Sequence, residues 1–154
     1  MCLLVAAALR PVIERTGELS EHTIFVVDAS GSMTASEGDP DRLALAVERA
    51  KELRGDVPDG GTASVIAAGA DTETLLTQAP DVGAFERALE SIRATDGSAD
   101  MAEAATEASA LVGDGASVVL LSDGGLTPAE ARQFPPGTRW ETVGEGDTTA
   151  RYIR

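Results

Sequence analysis

Two short segments of this 154-residue chain gather oxygen-bearing side chains. The first is Asp28-Ala29-Ser30-Gly31-Ser32-Met33, and the second is Ser122-Asp123-Gly124-Gly125. Together they offer two carboxylates and three hydroxyls. The chain has one histidine, His22, and one cysteine, Cys2, and neither lies in these segments. A ligand set of hard oxygens without imidazole or thiolate suits Mg²⁺, Ca²⁺ or Mn²⁺ rather than zinc or copper. Mg²⁺ takes about six oxygens and usually keeps several waters, so a site of roughly four or five protein oxygens leaves a position for an outside carboxylate. Taken singly, each segment also suits a plain turn. Asp28 and Ser30 can make Asx and Ser turns, and Asp123-Gly124 is a common turn pair. It is their joint occurrence that favours an ion.

Both segments follow apolar runs. Thr23–Val27 (TIFVV) and Ala116–Leu121 (ASVVLL) read as strands buried on both faces. Asp39-Pro40 reads as a helix cap and first helical position, with Leu43, Ala46, Val47, Ala50 and Leu53 at helical spacing and Gly55 as a C′ stop. Ala63–Ala68 is a further strand, and Thr72–Thr77 another at an edge. Asp81 caps a helix that carries Phe85, Leu89 and Ile92 on one face. A polar loop then leads into a helix over Asp100–Leu111, and Thr127-Pro128-Ala129-Glu130 forms a capping box. Thr138–Val143 and Arg151–Ile153 close the series as strands. Alternating strands and helices predict an α/β fold, a mostly parallel sheet with helices on both faces. Ligands of such sheets bind beyond the carboxyl ends of the strands, at a topological switch point. Both oxygen-rich segments belong there.

Composition sets the outer limits. The chain carries 26 acidic against 12 basic residues, a net charge of −14, so a phosphate backbone is repelled and nucleic acid is not an expected partner. One cysteine rules out a disulfide framework within the chain, and one histidine rules out His-rich metal sites. Aromatic residues make up 3% of the chain, which predicts an aliphatic core. Phe134 and Trp140 are expected to pack there, and His22 is expected at the surface. Asp96 and Asp100 read as helix N-terminal charges rather than ligands.

The motifs resemble a known family. Asp28-x-Ser30-x-Ser32 after TIFVV resembles the metal-ion-dependent adhesion site (MIDAS) of von Willebrand factor type A (VWA) domains. VVLLSDGG, Val118–Gly125, resembles the strand and third metal-site loop of that family, and GADTETLLTQAPD, Gly69–Asp81, resembles its β-hairpin. The resemblance runs from His22 to Gly125. It implies a three-layer, doubly wound, Rossmann-like VWA fold. It also implies Ser30 and Ser32 as direct hydroxyl ligands, Asp28 as a direct or water-mediated ligand, and Asp123 as a ligand mostly through water. The second loop departs from the pattern. The family usually has a Thr ahead of the acidic and apolar residues that open a helix. Here Thr95-Asp96-Gly97-Ser98-Ala99-Asp100-Met101 puts Ala99, which cannot ligate, in that place. Ser98 is the nearest substitute and Thr95 a weaker one. The expected metal set is therefore Asp28, Ser30, Ser32, Ser98 and Asp123, holding Mg²⁺ or else Ca²⁺ or Mn²⁺.

The resemblance implies a non-enzymatic domain that binds a protein partner's acidic side chain through the cation. A metal-free scaffold that binds through loops or helices is the alternative. Mg²⁺-dependent phosphoryl transfer ranks last, because Asp28 has no second carboxylate beside it in an Asp-x-Asp arrangement, no phosphate-binding Gly-rich loop with Lys is present, and no His lies near the site. Cys2–Leu9 (CLLVAAAL) is apolar and is followed by Arg10-Pro11, as in bacterial membrane-anchored members of the aerotolerance type. It is much shorter than the roughly 20 residues of a membrane span. It reads either as a packed element of the domain or as the stub of a longer membrane helix. On that basis residues 1–21 form an N-terminal segment and residues 22–154 the VWA-like domain. The domain is membrane-anchored on the second reading and cytoplasmic on the first.

Overall fold

A computed structural model describes residues 19–35, 40–144 and 149–153. The apolar N-terminal run Cys2–Leu9, Arg10-Pro11 and Asp39 lie outside these residues. Among the described residues a six-stranded sheet has the order β3-β2-β1-β4-β5-β6. Its strands are β1 (His22–Asp28), β2 (Thr62–Ala68), β3 (Thr72–Ala79), β4 (Ser117–Ser122), β5 (Arg139–Thr142) and β6 (Thr149–Tyr152). β2, β1, β4 and β5 run parallel, while β3 and β6 pair antiparallel at the two edges. The helices are α1 (Arg42–Arg54), α2 (Val82–Ser91), α3 (Met101–Leu111) and the short α4 (Pro128–Ala131).

Side-chain alternation along the strands makes two cores. Phe25 and Val27 of β1 face one side, with Val65, Val119 and Leu121, and meet Ala46, Ala50 and Leu53 of α1 and Phe85 and Leu89 of α2. The rings of Phe25 and Phe85 sit edge to face, 4.9 Å apart. Ile24 and Val26 face the other side, with Ile66, Val118 and Leu120, and meet Met101, Ala104, Ala105 and Ala108 of α3. Phe134 is buried in this second core and Trp140 packs against it. Every residue of these runs therefore needs an apolar side chain, which is why the sequence of the central strands does not alternate.

Three helix starts fall where the sequence places them. Asp81 accepts from the Ala84 amide at 2.6 Å and Asp100 from the Glu103 amide at 2.9 Å. Thr127 and Glu130 form the reciprocal capping box. The start of α1 differs from expectation. Its cap is Asp41, whose carboxylate accepts from the Ala44 amide at 2.8 Å, and Pro40 precedes the cap rather than opening the helix. Its end differs too. Gly55 has a right-handed φ of −65°, not the left-handed C′ conformation. The amides of Gly55, Asp56 and Val57 instead bond to Glu52, Leu53 and Arg54, so the last turn tightens and needs no left-handed residue.

His22 is not the free surface residue expected. It opens β1, is half-buried, and its Nε2 lies 3.0 Å from the Ser64 hydroxyl. That hydroxyl also accepts the Gln78 amide at 2.9 Å, where the edge strand β3 bulges and Gln78 takes a φ of 44°.

Candidate functional site

β1 is followed by α1 and leads to β2 on one side of it, whereas β4 lies on the other side of β1. The chain therefore leaves the carboxyl ends of β1 and β4 in opposite directions. This is the switch point of the sheet, where a crevice must open. Asp28 ends β1 and Ser122 ends β4, so both oxygen-rich segments meet there.

Three loops close round the crevice. The first runs from Asp28 through a single 3₁₀ turn, Gly31–Thr34. The second, Thr95–Asp100, is tied to it by backbone. The Gly31 amide donates to Gly97 O at 2.7 Å and the Thr95 amide to Ala29 O at 2.8 Å. Gly31 is needed for this approach, since a Cβ there would lie 3.2 Å from the Gly97 nitrogen. The third loop follows Ser122, whose hydroxyl accepts the Gly124 amide at 3.2 Å.

The cavity between these loops has a volume of about 240 Å³. Asp28, Ser30, Ser32, Ser98 and Asp123 all line it, so the structure brings the five expected residues to one place. Ala99, Met101, Leu126 and Glu130 form other parts of its wall. Thr95 does not line it. Its hydroxyl donates to Ala29 O at 3.2 Å and accepts the Ala70 amide at 3.1 Å, a bracing role between loops. Asp96 is exposed, and Asp100 is used as the α3 cap.

Asp28 is 4% exposed, and its Oδ1 accepts the Ser30 amide at 2.8 Å. Burial pushes its carboxyl pKa up. Hydrogen bonds from Ser30 and Ser122 pull it down, the nearby Asp123 charge adds to the rise, and the net shift is upward. The Ser30 and Ser32 hydroxyls lie 3.0 Å apart. Asp123 is held on both oxygens: Oδ1 accepts the Gly125 amide at 3.1 Å, and Oδ2 pairs with Arg42 Nη1 at 3.2 Å.

Arg42 is the site neighbour that the sequence reading missed. Its guanidinium also lies 3.4 Å from Ser32 O. One signal was present. Arg42 is the first residue of α1, where the helix dipole disfavours a cation. Glu141 was missed as well. Its fully buried carboxylate pairs with Arg49 at 3.0 Å and Arg139 at 2.5 Å, and it anchors β5 to α1 outside the cavity.

The donor chemistry of the cavity fits a hard divalent cation. Three carboxylates and three hydroxyls line it; Glu130 is engaged in the α4 capping box, and of the other two carboxylates Asp28 is buried with its charged form disfavoured. Among the described residues no three His, Cys, Asp or Glu side chains form a cage, so the hydroxyls would be essential to any such site.

Comparisons with known proteins agree with this architecture. The chain is 29% identical over 125 residues to a UPF0353 protein of Mycobacterium leprae (strain TN), covering 74% of this chain and 37% of that protein. An aerotolerance-related membrane protein from Bacteroides fragilis NCTC 9343 shares the fold with a TM-score of 0.63 and 19% identity, over 86% of this chain and 81% of that one. Proximal thread matrix protein 1 from the mussel byssus, solved with a zinc-occupied MIDAS motif, superposes with a TM-score of 0.56 and 15% identity, over 75% of this chain and 33% of that one. The family model described as von Willebrand factor type A domain matches residues 23–125, from the first residues of the central strand to the third loop, and the chain belongs to that family.

Proposed function

We propose that this domain is a non-enzymatic protein-interaction module whose partner supplies an Asp or Glu carboxylate to a divalent cation. Asp28, Ser30, Ser32, Ser98 and Asp123 would hold the ion, Mg²⁺ first and Ca²⁺ or Mn²⁺ as alternatives. The observation that carries this reading is the convergence of these five side chains on one cavity at the sheet's switch point. VWA domains typically serve protein interaction, and the mussel relative carries a metal at its MIDAS motif. When bound, the ion would supply a positive charge that draws an anionic group to an otherwise acidic surface. The protein's own part is to fix the hydroxyls, keep Asp28 dry and present an open rim. Catalysis is not favoured. The sole histidine begins β1 while Asp28 ends it, which separates them by roughly 20 Å at the rise of an extended strand.

A metal-free interaction scaffold is the second reading, supported by Ala99 on the cavity wall and by Arg42, which already neutralises Asp123. The chain spans 37% of the length of the curated relatives it matches, so a membrane anchor and the partner of a longer protein also belong to the proposal. No described helix is long and apolar enough to cross a membrane. Calorimetric titration with Mg²⁺, Mn²⁺ and Ca²⁺ separates the two readings. Heat that disappears in the Ser30→Ala, Ser32→Ala double variant supports the cation site, and no heat with any of the three ions supports the scaffold.

A further inference from the structure

Arg42 stands where a cation site would least be expected to keep a fixed positive charge. Its guanidinium is 3.2 Å from Oδ2 of Asp123 and 3.4 Å from the carbonyl of Ser32. Both of these residues line the cavity, and Arg42 itself does not. The other oxygen of Asp123 is taken by the Gly125 amide. The side chain of Asp123 is 9% exposed and that of Arg42 is 35% exposed, so the arginine has room to move and the carboxylate does not. Arg42 is also the first residue of α1, where the dipole opposes its charge. Its hold on Asp123 is therefore the main described interaction that keeps it in place.

We propose that Arg42 is a built-in competitor for the divalent cation, occupying Asp123 when the ion is absent and swinging outward when it binds. This rests on the cation reading of the cavity. It adds that the affinity for the ion is set low by a residue outside the ligand set. Two effects act together. The ion must displace the guanidinium from Asp123, and any positive charge that remains nearby repels a dication. Both vanish when the charge is removed.

The test uses Mn²⁺ alone as probe and calorimetry as readout, with wild type, Arg42→Gln and Arg42→Lys. Arg42→Gln should bind Mn²⁺ on the order of tenfold tighter, the effect of one unit charge on a dication a few Å away in a water-exposed site. Arg42→Lys keeps the charge and should return affinity toward that of wild type. The thermal midpoint supplies an independent readout. In EDTA, Arg42→Gln should unfold at or below the wild-type temperature, and excess Mn²⁺ should raise its midpoint more than it raises that of wild type. Equal or weaker Mn²⁺ binding by Arg42→Gln overturns the competitor and leaves the cation site standing. Absence of binding by wild type and Arg42→Gln alike, up to millimolar Mn²⁺, overturns the cation reading and the competitor with it.

Discussion

Replacing Asp28 by Asn separates what the cavity does for an ion from what it costs the fold. The carboxylate is 4% exposed, accepts one backbone amide at 2.8 Å and has Asp123 for a neighbour. Burying a carboxylate costs several kcal/mol. Hydrogen bonds from the Ser30 amide and the Ser30 and Ser122 hydroxyls offset most of that cost, but the carboxyl pKa stays raised, so burial still wins and a net penalty on the order of 1–2 kcal/mol is expected in the metal-free protein. Asparagine keeps the shape and one acceptor and removes the charge. Metal-free Asp28→Asn should therefore be more stable than wild type by that amount, which is about 2–6 °C in Tm for a chain of this length. At ten times its Kd, Mn²⁺ should stabilise wild type by about 1.4 kcal/mol and leave the variant unmoved. The sign of the pH effect follows. The folded carboxyl has a raised pKa, so its contribution to stability is fully present below the unfolded value near 3.8 and is lost as pH rises through the folded value. The variant lacks that component. Thermal unfolding in EDTA and in Mn²⁺, repeated from pH 4 to 7, measures all three effects. A variant less stable than wild type in EDTA, or one that Mn²⁺ stabilises as much as wild type, would refute the reasoning.

Other parts of the molecule give further expectations. Burial lowers the His22 pKa, so its stabilising contribution is present above the unfolded value of 6.5 and lost as pH falls through the lower folded value. His22→Gln should flatten the dependence of Tm on pH between 7 and 5, and an unchanged slope would contradict this. Glu141→Leu leaves Arg139, 13% exposed, without its carboxylate and should cost about 3–5 kcal/mol in urea unfolding. Adding Arg49→Met and Arg139→Met should recover most of that loss, since an apolar replacement of the whole ion cluster strands no charge. Ala99→Thr puts a hydroxyl back on the cavity wall and should tighten Mn²⁺ binding about threefold to tenfold, the worth of one oxygen ligand at a net 0.5–1.5 kcal/mol. If Ser98 already fills that role, Ser98→Ala should weaken Mn²⁺ binding in wild type and matter little beside Ala99→Thr.

Much of the layout is local chemistry and can be read from the chain. TIFVV and SVVLL are apolar without interruption because helices cover both faces of the sheet. Asp81, Asp100 and Thr127 cap their own helices over three residues, which a sequence displays directly. The start of α1 was harder to read because Asp39 and Asp41 flank Pro40, and the Ala44 amide, which donates to the Asp41 carboxylate, marks Asp41 as the cap. The end at Gly55 turned on backbone bonds that residue type does not specify. His22 found Ser64 across 42 residues of chain, Arg42 found Asp123 across 81, and Arg49 found Glu141 across 92. No periodicity carries such pairings, since they depend on where the completed sheet places its strand ends. Four of the five cavity residues were legible for the opposite reason. Asp28, Ser30 and Ser32 sit at or just past the end of β1 and Asp123 just past β4, and strand ends are fixed as soon as the strand order is, whereas Ser98 lies in the loop before α3 and was reached through the family resemblance.

The second loop is fastened to the first through Gly31–Gly97 and Thr95–Ala29, and to the hairpin through Asp100–Gly69, and each of these bonds is made by backbone. The side chains at 98 and 99 have no part in that fastening. Ser98 is exposed and Ala99 only edges the second core, so small side chains can be exchanged at these two positions with the loop's backbone fastening left in place. Chemistry here can be lost, rebuilt one residue away or retuned to another ion while the scaffold stays the same. Alanine beside serine at this place is the pattern that such freedom would leave.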